Sequence, residues 1–458
     1  MKLIDTHCHL DFPDYKDDLD EVIKRAEDAG VVRIISPGTN IESSQKAVEI
    51  AHKFAPVYAA VGIHPHEAAK SDSASAGKIR AMAINSEKVV GIGEIGLDYC
   101  KAYSPREDQK KLFRTLLCLS KELDLPVIMH NRDADPDFTD IIKSDEFAGI
   151  RGVVHCFSAS REFLREVLSK GLYVSFTGTI TFENASLIRE LVKYTPVESL
   201  LLETDSPFMA PVPRRGKRNE PSFARHLLKT HAGIYSLSEE DIARVTTHNA
   251  NRLFHLGMEE KGMVAYKIRD SLYLNITNRC TNRCVFCTRD ISNYVKGHNL
   301  KLEREPLAEE VIKAISEKSG YSEVVFCGFG EPTLRLEVIK KIAGYVKSSG
   351  RRVRLTTNGE GNLINGRNIV PELKGLIDSC SVSLNAPDGD RYEKLCRPVS
   401  GKGAFSAISA FIGDSAACGI EVEVTCLDMI GEEAVARCRE ISNSLGARFR
   451  LRHLNVVG

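Results

Sequence analysis

VVGIGEIGLD, residues 89–98, is an apolar run in which hydrophobic and polar positions do not alternate, and it carries two carboxylates, Glu94 and Asp98, toward its end. A strand apolar on both faces belongs in a parallel sheet covered on both sides. Similar runs lie before it at LIDTH (3–7), VVRIISPG (31–38) and VYAAVGIHP (57–65), and after it at LPVIMH (125–130), GVVHCF (152–157), YVSFTG (173–178) and SLLLETDSP (199–207). Helix-period segments such as DDLDEVIKRAEDAG and SSQKAVEIAHKF separate most of them. Eight strand–helix units predict a closed α/β barrel, a (β/α)8 TIM barrel, with a doubly wound open sheet as the rival fold.

A second series follows a polar, glycine-punctuated stretch at 256–271: SLYLNIT, SEVVFCGFGEP, VRLTTNG, CSVSLNA, VEVTCLD and FRLRHLN. Six strands are too few for an eight-fold barrel, so the expectation is a (β/α)6 partial barrel. The predicted organisation is a first domain over 1–257, a linker over 258–270 and a second domain over 271–458.

Composition sets outer bounds. The 458 residues exceed what one core usually serves, and 43% hydrophobic with 27% charged residues is the balance of a globular protein without a membrane helix. Lys plus Arg equals Asp plus Glu at 62 each, so any polyanion site must be local. The opening MKLIDTHCHLD lacks the apolar stretch of a signal peptide, which makes the cytoplasm the expected compartment, with no membrane partner. Nine of the 13 cysteines lie at or beyond Cys280, an arrangement that argues for reduced thiols rather than a disulfide framework.

In the first series the polar residues collect at strand ends. His7 and His9 follow the first strand, His64 the third, Glu94 and Asp98 the fourth, His130 the fifth, His155 the sixth, and Glu203 and Asp205 the eighth. The carboxyl ends of barrel strands share one face, where active sites form. Histidine nitrogens with carboxylate oxygens suit zinc, manganese, iron or magnesium, and Glu94 could bridge two such ions acting on a phosphoryl group.

The stretches DTHCHLD, GIHPH, GEIGLDY, PVIMHNRDA, VVHCFS, ETDSPF and APVPRRGKRNEP, in that order across 1–257, resemble the TatD family of metal-dependent hydrolases, amidohydrolase-like barrels reported to act as DNases. The resemblance implies two divalent ions: His7 and His9 on one, His130 and His155 on the other, Glu94 between them, and Asp205 completing the first. It makes His64, Arg132 and Glu203 near-site groups, with Arg132 a phosphate-gripping candidate. DNA or another phosphodiester is the implied substrate, and the basic loop with Arg214, Arg215, Lys217 and Arg218 is a candidate contact. A small-molecule phosphoesterase or deacylase is the alternative.

TNRCTNRCVFC, residues 277–287, sets Cys280, Cys284 and Cys287 at CxxxCxxC spacing. Three thiols fit a four-iron cluster with one iron open, or a zinc site completed by a histidine elsewhere, and spacing alone does not separate these. CGFGEPT (327–333), TTNG (356–359) and SVSLNAP (381–387) bring Gly328, Gly330, Glu331, Asn358, Ser383 and Asn385 to the same mouth, with Phe286 beside the third thiol. Together these resemble the radical SAM superfamily, specifically the radical SAM proteins associated with TatD, over 271–458. That resemblance implies a 4Fe-4S cluster and S-adenosylmethionine, cleaved to a 5'-deoxyadenosyl radical, and a low-potential electron donor. In that reading Phe286, Gly328, Gly330, Glu331, Asn358, Ser383 and Asn385 contact the cofactor. The chain stops just after its sixth strand, which leads to the expectation of a macromolecular radical substrate covering the mouth. The remaining cysteines, Cys327, Cys380, Cys396, Cys418, Cys426 and Cys438, read as buried small residues. The alternative makes this domain a binding or regulatory module.

Overall fold

A computed structural model of the protein describes residues 1–72, 74–101, 103–258, 261–290 and 292–453. The chain divides into two compact units, Met1–Met258 and Glu259–Gly458.

In the first unit, β1 (Leu3–Asp5), β2 (Val31–Pro37), β3 (Val57–Val61), β4 (Val89–Asp98), β5 (Val127–Arg132), β6 (Gly152–Val154), β7 (Tyr173–Phe176) and β8 (Leu200–Leu202) pair in sequence order. Each successive pair is parallel. The barrel closes where the Thr6 N–H donates to Leu202 O at 3.0 Å and the Asp205 N–H to His7 O at 2.9 Å. All ten residues of β4 are buried, which is why that strand cannot alternate.

One layer inside this barrel takes Ile4, Ile35, Ala60, Val90, Ile128, Val153 and Leu201 from seven strands and packs them against Ala250, Leu253 and Phe254 of the helix Glu239–Phe254. That helix begins at a reciprocal cap between Ser238 and Asp241. With these residues packed together, the polar strand ends are left to the opposite, carboxyl-terminal face.

The second unit contains β9 (Ala265–Ile268), β10 (Ser271–Leu274), the short hairpin β11 (Tyr294–Val295) and β12 (His298–Asn299), then β13 (Glu323–Phe326), β14 (Arg352–Thr357), β15 (Ser379–Ser383), β16 (Glu421–Leu427) and β17 (Arg448–Arg452). Its main sheet has the order β17-β16-β15-β14-β13-β10-β9. Strands β10 and β13–β17 are parallel, the six anticipated, and the sheet stays open. The seventh strand corrects the linker reading of 258–270: Ala265–Ile268 pairs antiparallel with β10, Ile268 opposite Ser271. Two polar residues, Arg269 (φ 55°) and Asp270, make the turn, so a hairpin without glycine reads as a charged connector. Residues 259 and 260 of that stretch, and Leu454 and Asn455 of the sixth predicted strand, lie outside the described residues.

Candidate metal centres

At the carboxyl end of the first barrel, β1 runs directly into His7 and His9, whose Nε2 atoms come within 3.2 Å of each other. Glu94 Oε2 lies 3.5 Å from His7 Nε2 and 3.6 Å from His9 Nε2. Asp205 Oδ1 closes this group at 3.8 Å and 3.6 Å from the same two nitrogens. The other oxygen of Glu94, Oε1, faces a different set: His155 Nε2 at 2.8 Å, His130 Nδ1 at 3.0 Å and His64 Nε2 at 3.5 Å. One carboxylate thus divides two clusters of nitrogen donors.

The donor set fits metal ions. Ions held at about 2.0–2.2 Å set neighbouring ligand atoms about 3 to 3.5 Å apart. His7 Nδ1, His155 Nδ1 and Glu203 Oε2 are buried and have no hydrogen-bond partner among the described residues. Burial opposes charge on Glu94, yet His155, His64 and His130 around it hold its carboxyl well below the usual range. Burial pushes the Glu203 carboxyl up to about 7.

The backbone that aims these groups is unusual where it matters. Gly96 has φ +146°, and a Cβ there would lie 2.0 Å from His130 O, so only glycine lets β4 pass this close to β5. Asp205 (φ 52°) and Cys156 (φ 47°) adopt left-handed backbone just after β8 and β6, a conformation that costs a non-glycine residue roughly 1–2 kcal/mol.

All the residues anticipated from the first series reach this face. Glu203 is fully buried and accepts from the Cys156 N–H at 2.7 Å. Arg132 is exposed on the rim of the cavity, about 660 Å³, and forms no ion pair among the described residues. The basic loop is less available than its composition suggests. Arg218 pairs with Asp18 at 2.7 Å, and the guanidiniums of Arg214 and Arg215 lie over Phe223 and Phe182. Unassigned from the sequence were His66, whose Nε2 is 2.9 Å from Asp98 Oδ2, and Phe12, stacked on His9. The second histidine of GIHPH was the available signal for the first, and the aromatic after DTHCHLD for the second.

In the second unit Cys280, Cys284 and Cys287 line a cavity of about 240 Å³ with Phe286, Gly328, Gly330, Glu331, Asn358, Ser383 and Asn385. The cysteine loop is held from two sides. The Arg283 and Val285 N–H groups donate to Cys396 O and Leu395 O at 3.0 and 2.9 Å. Arg289 donates to Cys287 Sγ at 3.4 Å and to the carbonyls of Asn278 and Asn282 at 3.0 Å each. Burial pushes the Cys280 thiol up to about 12, so its thiolate is favoured only beside a compensating positive charge such as a metal.

The GFGEP turn crosses this loop at backbone contact. A Cβ at Gly330 would lie 2.1 Å from Arg279 O, and one at Gly328 would lie 2.3 Å from Asn275 Oδ1. Glu331, in that lining, also has a structural part. Its carboxylate is buried and accepts from the Thr333 N–H (3.0 Å), Thr333 Oγ1 (2.7 Å), Thr357 Oγ1 (2.8 Å) and the Asn358 N–H (2.7 Å), so it ties the ends of β13 and β14 together. Asn358 in turn donates to Thr281 Oγ1 at 2.8 Å. Of the other cysteines, Cys380, Cys396, Cys426 and Cys438 are buried as anticipated, whereas Cys327 and Cys418 are only half-buried. Cys327 and Cys396 also line the cavity of the three thiols.

Residues 4–255 match the family of TatD related DNases, and residues 274–433 match the radical SAM superfamily. The first region is 42% identical over 254 residues to the uncharacterized metal-dependent hydrolase YabD of Bacillus subtilis, covering 56% of this chain and 99% of that protein. It is 34% identical over 261 residues to the 3'-5' ssDNA/RNA exonuclease TatD of Salmonella typhimurium, covering 56% and 99% respectively. Among solved structures, the TatD homolog YJJV of Escherichia coli superposes with a TM-score of 0.53 at 34% identity, over 55% of this chain and 98% of that one.

Proposed function

The chain belongs to the TatD related DNases, its TatD-type metal-dependent hydrolase domain fused to a radical SAM domain, and on that footing we propose an enzyme with two separate metal centres. The first, within 1–257, is a phosphodiesterase acting on DNA or another phosphodiester. The observation that carries this reading is the division of Glu94, one oxygen toward His7 and His9, the other toward His130 and His155. Zinc, manganese, iron or magnesium suits these donors. A pair of ions supplies a lowered pKa for bound water and neutralisation of charge on the phosphoryl oxygens. Asp205, 3.6 Å from His9, ligates on the first side and takes up the proton of the attacking water. Arg132 grips the phosphate with a planar fork of donors. His64, lining the cavity 3.5 Å from Glu94 Oε1, is a further proton carrier, and Asp98 fixes the His130 ring. Glu203, holding the Cys156 backbone, positions the wall behind His155.

The second centre, within 271–458, would hold a 4Fe-4S cluster through Cys280, Cys284 and Cys287, with S-adenosylmethionine beside it. The chemistry such a cluster supplies is one-electron reductive cleavage of S-adenosylmethionine to methionine and a 5'-deoxyadenosyl radical, fed by a low-potential donor. Phe286, Ser383, Asn385 and Asn358 line the cavity where the cofactor's adenine and polar groups would lie, and Gly328 and Gly330 let backbone approach it. Glu331, at the same cavity, contacts the cofactor and also holds Asn358 and the turn.

Two assays test the proposal. Chelator-stripped protein reloaded with manganese or zinc should hydrolyse single-stranded DNA. Silence on every nucleic acid, with turnover of small esters, would move the first centre to a small-molecule phosphoesterase or deacylase. Protein with its cluster reconstituted anaerobically should form 5'-deoxyadenosine with a strong reductant; none formed would leave the second domain a binding or regulatory module.

A further inference from the structure

The hydrolase cavity is not uniformly polar. Arg132 and Asn131 stand on its His130 side, whereas Phe12 and Phe208 stand on its His9 side, all lining the same space. Phe12 stacks on the His9 imidazole, centroids 4.7 Å apart and planes 25° apart. Phe208 stands nearly perpendicular to Phe12, at 5.7 Å and 82°, and 6.3 Å from the His9 ring. The two rings make an aromatic corner flush with the metal-ligand set.

Phe208 is 48% exposed in a barrel whose Phe113, Phe138 and Phe176 are buried. It does not sit on a loose tip. Its N–H donates to Asp205 O at 3.0 Å, and its carbonyl accepts from Asn219 Nδ2 at 2.6 Å, while the Asn219 N–H donates to Pro207 O at 3.0 Å. The backbone that places the Asp205 carboxylate therefore also places this ring. A half-exposed ring fixed by its backbone at the mouth of this cavity, with a second ring braced against it, offers a flat apolar face to whatever enters.

We infer that Phe208, braced by Phe12, is a stacking platform for the nucleobase next to the scissile phosphodiester, so that the nucleic acid lies with a base on the aromatic corner and a phosphate toward Arg132. The inference rests on the phosphodiesterase reading of this site and names the part of the substrate that reading leaves open. An aromatic face accepts any unpaired base without reading its identity, and a paired base within a duplex keeps its faces covered by its neighbours. The platform thus favours an unpaired base beside the cleaved bond irrespective of its identity.

The test compares manganese-loaded full-length protein on two single-stranded oligonucleotides of equal length, one with its bases and one in which every nucleoside is a tetrahydrofuran abasic residue. The intact strand should be cleaved with kcat/KM about 10-fold higher, expressed mainly in KM, the scale of one base–aromatic stack. Phe208→Ala should cleave the intact strand as slowly as the abasic one and lose the discrimination, and Phe208→Trp should restore it; metal content reports that the variants are folded. Equal cleavage of both strands by the unmodified protein, or discrimination kept in Phe208→Ala, overturns the platform while leaving the phosphodiesterase reading intact. Cleavage of neither strand overturns that reading and the platform with it. Should Phe208→Ala fail to fold, the two-strand comparison in the unmodified protein still decides.

Discussion

Asp98 Oδ2 lies 3.3 Å from His130 Nε2, while the other nitrogen of that ring, Nδ1, lies 3.0 Å from Glu94 Oε1. The imidazole is thereby held with one edge toward a fixing carboxylate and the other toward the candidate ion position, the usual arrangement of a metal-binding histidine. Asp98→Asn should weaken one of the two ions by about 10–100-fold and leave the other bound. Isothermal titration of stripped protein with manganese or zinc reads both affinities; equal weakening of both would contradict the division of sites.

The cluster loop makes a narrower prediction. Cys284→Ala should abolish iron retention after anaerobic reconstitution, because three thiolates are the fewest that anchor the proposed cluster. Cys396→Ala should keep four irons although Cys396 lines the same cavity. Iron and sulfide analysis decides, and iron lost from Cys396→Ala would make that residue a fourth ligand.

Gly330→Ala should act on the second domain. Its new Cβ, 2.1 Å from Arg279 O, meets backbone that cannot rotate away, and forced overpacking of this kind costs about 1–3 kcal/mol. Iron content after reconstitution should fall. An alanine variant that retains full iron and melts like the parent would show that the GFGEP turn is not pressed against the cysteine loop.

His231 sets a pH dependence of stability that involves none of the candidate metal ligands. It is fully buried in the helix Ala224–Tyr235, neither ring nitrogen has a partner among the described residues, and burial alone pushes its pKa down to about 4. A group with a depressed basic pKa binds its proton more readily in the unfolded chain. The associated stability is therefore complete above about pH 6.5, falls as pH drops toward 4, and amounts to about 3 kcal/mol over that window. His231→Leu should flatten the fall in melting temperature between pH 7 and 5 relative to the parent; parallel curves would mean that the ring is protonated or solvated in the native state.

Much of this arrangement is legible in the sequence, for identifiable reasons. Strands buried on both faces, such as Val89–Asp98, write themselves as apolar runs, and the fixed polarity of a parallel barrel then carries His7, His9, His130, His155 and Asp205 to one face. The cysteine spacing and the glycines of GFGEP are local features that survive without tertiary knowledge. What escapes depends on pairings that the local pattern does not signal. Ala265–Ile268 becomes a strand because β10 folds back on it around a turn with no glycine. Glu331 also accepts from Thr333, Thr357 and Asn358, which only the meeting of β13 and β14 reveals. Phe208 sits in a quoted stretch, but its exposure beside Phe12 is visible only in three dimensions.

The central claim is that Glu94 joins two ions, and the most direct test counts them. Anaerobically reconstituted, cluster-replete protein should bind two divalent ions per chain at the first centre, and Glu94→Gln should hold at most one while the iron of the second centre is unchanged. A single ion in the unmodified protein, or two ions held undisturbed by Glu94→Gln, would contradict the account.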